Sequence, residues 1–187
     1  MVPTSEPKLA ALSVMKGALS NLLEVNFTGR SGEREKLWCE RLNEAEFTVR
    51  TPPVFVDNIS VGTIVRAALG DDGELHHTAT LQSSSGATIR FLSPDGIDAS
   101  ELYLNRIQRY AQENGLAIGP ASFVSLKCVS FHVAKRDAQS ESLLEFLDEL
   151  EADGLVKNWE IGDPRSKREV VEFDSNADAV VRHQRPS

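Results

Sequence analysis

Residues 47–92 are rich in Val, Ile and Thr and are cut at short intervals by turn-forming residues, a pattern that suits short antiparallel strands and little else. The cuts fall at Pro52-Pro53, Gly70-Asp71-Asp72-Gly73 and Ser83-Ser84-Ser85-Gly86. Asp72-Gly73, set between two strand-like runs, is a hairpin signal because Asp and Gly accept the positive φ that tight turns require. The serine-rich segment before Thr88 is read as a second hairpin turn. An anion-binding nest is disfavoured there, since such nests open a helix, whereas this segment opens a strand. Pro52 and Pro53 cannot donate to a central ladder and are expected at a strand entry, edge or bend.

On either side the periodicity changes. Leu9, Leu12, Met15 and Leu19 recur at helical steps over residues 7–20, predicting an amphipathic helix that packs on its own domain. Leu23, Val25 and Phe27 alternate with Glu24 and Asn26 as a half-buried strand. Beyond Pro94, Asp98 and Glu101 resemble a helix-start cap, Leu104, Ile107 and Ala111 form a buried stripe, and Asn114-Gly115 ends the helix. After a break at Gly119-Pro120, Val129, Phe131 and Val133 alternate with Ser130 and His132 as a strand. A helix over residues 140–153 carries Leu143, Phe146, Leu147 and Leu150 on one face, and residues 156–161 read as a last strand. The fold class is α+β, a β-rich antiparallel core followed by a helix-strand-helix-strand layer. The chain divides into an N-terminal helical extension (1–21), a β-rich core (22–95), an α/β C-terminal unit (96–162) and a charged tail (163–187) with a brief strand-like Val170-Val171-Glu172-Phe173.

A chain of 187 residues buries roughly 70% of its unfolded surface, enough to hold a core without metal or disulfide. A formal charge of -8 and only 6% aromatic residues disfavour nucleic-acid binding, which needs a basic stripe and stacking platforms. Cys39 and Cys128 stand far apart in no metal-binding spacing and are expected to be buried, reduced thiols. No signal-like profile and no long apolar run are present, so a soluble cytoplasmic protein is expected.

Leu37-Trp38, Pro53-Val54-Phe55, Val61-Gly62-Thr63-Ile64-Val65-Arg66-Ala67 and Ser85-Gly86-Ala87-Thr88-Ile89-Arg90 occur in an order that resembles an uncharacterised bacterial family, a domain of unknown function. The resemblance continues through Phe131-His132-Val133 and on to Gly154, covering about residues 22–163. Thr63 stands where the family pattern has Asp, and Val54 where it has Phe. The resemblance implies a shared architecture and a bacterial cytoplasmic setting, with no catalytic residue to carry over.

Among candidate sites, His76 and His77 are neighbours on a strand and point to opposite faces, so they make a poor chelate, and no metal or cofactor is expected. His132, opposite in phase to Phe131 and Val133, is expected to be solvated. Asp57 beside Asn58 reads as a turn former without a catalytic partner. No catalytic motif is present. Arg66 and Arg90, on matched strands, form with Asp57 the candidate site for a small anionic ligand, in an enzyme or a sensor.

The helix near residue 145 carries Glu141, Glu145, Asp148 and Glu149, and no Lys or Arg occurs between Arg136 and Lys157. Like charges four residues apart each cost roughly 0.2 to 0.5 kcal/mol, so helix stability does not account for the pattern. The leading expectation is therefore non-catalytic protein binding through this acidic face to a basic partner, an immunity- or antitoxin-like protein being one concrete form.

Overall fold

In the alternating strand of residues 22–28, Val25 and Phe27 point inward and Glu24 outward. The computed structural model describes residues 21–29, 32–124, 126–138 and 140–162. The helix expected over residues 7–20 and the strand-like segment at 170–173 lie outside them. Five strands, β1 (Leu22–Thr28), β2 (Arg34–Arg41), β3 (Glu46–Val49), β4 (Ile64–Leu69) and β5 (Leu75–Gln82), form a closed barrel. Consecutive strands pair antiparallel, and a short parallel contact of Val25 with Leu75 and Asn26 with His76 closes the ring. Register shifts on β4 beside Val65 and Ala67 add the local twist that closure requires. Val25, Phe27, Leu37, Cys39, Phe47, Val49, Val65 and Ala67 fill the interior. The β4–β5 hairpin turns at Asp72-Gly73 as expected, with Gly73 at φ +77° and the Asp72 carboxylate accepting from the Glu74 amide.

The second sheet has the order β7-β8-β6-β9, made of β6 (Gly86–Leu92), β7 (Ile118–Val124), β8 (Cys128–Ala134) and β9 (Asn158–Ile161). Two expectations are corrected here. First, the segment before β6 is a crossover between sheets rather than a hairpin turn. β6 pairs with β8 and β9, not with β5. Ser84 fixes the crossover, its hydroxyl donating to the Val61 carbonyl and accepting from the Gly86 amide. Second, Gly119-Pro120 lies inside β7 instead of interrupting the chain. β7 is an edge strand whose register slips between Ile118 and Ala121, and an edge tolerates the missing proline N–H. The segment after Pro94 therefore runs helix, strand, strand, helix, strand.

Asp98 caps the first helical stretch by accepting from the Ser100 and Glu101 amides. That stretch comprises α1 (Ala99–Leu102), a π-helical segment (Tyr103–Ile107) and α2 (Gln108–Glu113). The wider π-turn shifts the helical phase, so Leu102, Tyr103, Ile107 and Ala111 are buried while Leu104 is exposed. Gly115, at φ +67°, ends the stretch. After α3 (Lys135–Ala138), α4 (Glu141–Ala152) packs Leu143, Leu147 and Leu150, with half-buried Phe146, into one core with Val129, Phe131 and Val133. Both long helical stretches thus cover the same face of the second sheet. Thr88, Arg90, Ser130 and His132 alternate with these core residues and belong to the opposite face.

Candidate functional site

That opposite face meets residues 51–63, an irregular segment between β3 and β4 in which Thr51, Pro52, Pro53, Val54, Val56, Ile59, Ser60 and Thr63 are buried. Buried irregular backbone must find hydrogen-bond partners outside the usual ladders. Here it is served from both sides. Glu35 on β2, only 1% exposed and in the inward phase of Leu37 and Cys39, accepts from the amides of Val54 (2.8 Å), Phe55 (3.0 Å) and Val56 (3.2 Å). Arg90 on β6, also 1% exposed, donates from Nε to the Pro53 carbonyl (3.2 Å) and from Nη2 to the Val56 carbonyl (2.6 Å). Its Nη1 lies 3.1 Å from Asp57 Oδ1 and 2.9 Å from Glu160 Oε1 on β9. Ser130 Oγ donates to the Pro52 carbonyl, and Thr88 Oγ1 donates to Ser60 Oγ. A Cβ at Gly162 would sit 3.1 Å from Arg90 Nη1, so the end of β9 closes tightly over the guanidinium.

Within this segment Asn58 takes a left-handed φ of +63° and Gly62 one of +88°. Thr63 Oγ1 accepts from the Ser60 amide at 3.1 Å, a turn-capping role that Asp fills equally well.

The candidate residues separate accordingly. Arg90 and Asp57 are brought together, but Arg66 is 54% exposed on β4 and faces Glu46 Oε1 at 3.9 Å on the neighbouring barrel strand. Arg66 and Arg90 belong to different sheets and do not form a cationic pair. All three nitrogens of the Arg90 guanidinium group donate to protein acceptors, so the cluster is built to hold the segment. Sequence reasoning missed Glu35 and Glu160. The signal for Glu35 was a carboxylate in the apolar phase of a strand.

The two histidines of β5 take different partners. His76 approaches both Asp72 carboxylate oxygens, at 3.0 and 2.9 Å, whereas His77 stacks on Phe27 with centroids 4.9 Å apart and is held below the usual imidazole range by burial. His132 corrects another expectation. Its ring lies across two glycines on the flanking strands, where a Cβ at Gly86 would come within 1.9 Å and one at Gly119 within 3.0 Å. Among the described residues its buried Nδ1 makes no close hydrogen bond, and burial lowers the imidazole's affinity for a proton. The missing Cβ atoms let the ring lie inward instead of standing in solvent. Burial pushes both thiols, Cys39 and Cys128, up to about 12.

On the outer face of the helical layer, Glu141, Glu145, Asp148 and Glu149 are all exposed along α4. Asp148 Oδ1 accepts from Trp159 Nε1 at 3.2 Å, which ties one member of the ridge to β9.

A five-stranded barrel locked through a clamped irregular segment to a helix-covered antiparallel sheet defines an α+β protein of two joined sheets. The chain belongs to the family described as Domain of unknown function (DUF4265), which it matches over residues 35–158, from Glu35 to the first residue of β9. It is similar in fold to a solved structure titled "Novel crystal structure of a hypothetical protein from Neisseria gonorrhoeae", with a TM-score of 0.56, 15% identity, and coverage of 76% of this chain and 94% of that one. No curated protein matches the chain.

Proposed function

We propose that the protein is a non-catalytic binding protein whose acidic α4 ridge docks a basic protein surface. The reading rests on how carboxylates without an ion pair are clustered, since those of the barrel, such as Glu24, Glu44 and Asp71, stand on separate elements while α4 aligns three on one helix. On the barrel and around the junction, Glu40, Glu46, Asp57, Asp72, Glu74, Asp95 and Glu160 each face a cationic or ionisable partner. Among the described residues, Glu141, Glu145 and Glu149 form no such pair, although they stand four residues apart where like charges repel. An exposed ridge of one sign raises the encounter rate with a surface of the opposite sign and discriminates against like-charged surfaces. Masking of a basic enzyme surface, as an immunity or antitoxin protein does, is one form this function takes.

Replacing Glu141, Glu145 and Glu149 together by Lys tests it, because all three lie off the buried Leu143-Leu147-Leu150 stripe. A basic protein captured from bacterial extract by the wild type is expected to be lost with the variant. Its association rate with the purified wild type should fall as salt rises, since exposed charges are screened beyond about 8 Å at physiological ionic strength. Equal capture by both forms at low salt reduces the ridge to a solvated surface. The alternative, an enzyme or sensor that takes a small anion at Arg66 and Arg90, has only Arg90 and Asp57 in proximity to support it.

A further inference from the structure

Beside the acidic α4, the covering helical stretch exposes Arg106 and Arg109, and among the described residues neither forms an ion pair. The two stretches are joined at an aromatic seam. Tyr110 and Phe146 stack with ring centroids 4.0 Å apart and planes inclined by 3°, and the Tyr110 hydroxyl donates to the Ser142 carbonyl at 2.8 Å. One face of the molecule therefore carries the exposed Arg106 and Arg109, an apolar seam and an acidic ridge, and among the described residues neither these arginines nor Glu145 and Glu149 are neutralised by an ion pair. A twofold rotation about the seam places the acidic ridge of one copy over the two arginines of another, which is the self-complementary arrangement an isologous interface requires.

We infer that the helical face is the interface of a twofold dimer, in which Arg106 and Arg109 of each copy meet Glu145 and Glu149 of the other. The inference rests on the docking reading of α4 and assigns that docking surface a partner, a second copy of this chain. A stronger basic protein would compete with the second copy for the same ridge. The net charge of -8 sets copies against one another at long range, but at physiological salt that repulsion is screened over about 8 Å, while charges in direct contact remain coupled.

Charge reversal provides the test, with the full chain throughout and folding checked by circular dichroism. One variant carries Glu145→Arg and Glu149→Arg, the other Arg106→Glu and Arg109→Glu. The wild type is expected to sediment as a dimer at 0.15 M salt and each variant alone as a monomer. An equimolar mixture of the variants should form dimers of mixed composition, resolved by native mass spectrometry, because every contact is again between opposite charges. A monomeric wild type overturns the dimer, as does a mixture that stays monomeric. A lysine-rich helical peptide separates this result from the parent reading. A monomeric wild type that binds the peptide through Glu141, Glu145 and Glu149 overturns the dimer and leaves the docking ridge standing, whereas one that neither dimerises nor binds overturns both.

Discussion

A carboxylate in the apolar phase of a strand is costly to bury unless its oxygens are occupied, and Glu35 meets that condition with the amides of Val54, Phe55 and Val56. Glu35→Gln replaces one acceptor oxygen with an NH2 that faces backbone donors. It is expected to lower the unfolding free energy by about 3 kcal/mol, measured by urea titration. A near-neutral midpoint would show that the segment finds other partners. Arg90→Met should cost a similar ~3 kcal/mol, since it leaves the Pro53 and Val56 carbonyls and two carboxylates without their donor.

The half-buried imidazoles of His77 and His132 give a pH signature. Both are held below their ordinary value, so the unfolded chain takes up these protons first as pH falls. Their contribution to stability is complete above about 6.5 and is lost as pH falls from there toward the lower folded values. His132→Gln should flatten the dependence of the urea midpoint between pH 7.5 and 5, and an unchanged slope would remove His132 as a source. Neither thiol should react with a thiol reagent in the folded state at pH 8, because burial keeps both protonated. Arg90 and Asp57 were visible in the sequence as residue types worth placing. Their partners were not, because Glu160 lies 70 positions from Arg90 and meets it only through the pairing of β9 with β6, while Glu35 grips the same segment from a strand of the other sheet.

At the scale of elements, hydrophobic period located most strands and the two main helical stretches, and it erred where geometry departs from ideal repeats. The Leu104-Ile107-Ala111 stripe assumes an unbroken α-helix, whereas the π-turn brings Tyr103 inward and leaves Leu104 outside. Leu104→Ala should therefore change stability by less than about 0.5 kcal/mol, while Tyr103→Ala should cost about 3 to 5 kcal/mol, a contrast that denaturant titration resolves directly. Leu147→Ala, in the core shared by α4 and β8, should cost about 2 to 5 kcal/mol. β7 was hidden because Gly119-Pro120 reads as a stop, and nothing in the local sequence says that the proline lies on a sheet edge. The acidic face of α4 was legible for the opposite reason, since charge placed opposite a leucine stripe needs only one helix to interpret.

For the molecule as a whole, the two sheets share no strand and are joined by residues 51–63, which Glu35 grips from the barrel and Arg90 from the second sheet. Val56 and Ile59 pack the segment into the barrel core, whereas its ties to the second sheet are hydrogen bonds from Arg90 and Ser130. A single cooperative unfolding transition is expected for the wild type, and two separable transitions for the Glu35→Gln, Arg90→Met double variant, followed by tryptophan fluorescence from Trp38 and Trp159, one on each sheet. The helical face described above points the other way, toward solvent, so its charges can be reversed without disturbing this coupling. The same grip has a consequence for time as well as for energy. Surface segments without regular structure normally trade their amide protons with water quickly, but Val54, Phe55 and Val56 should do so as slowly as the middle of a barrel strand, and all three should speed up together when Glu35 is replaced.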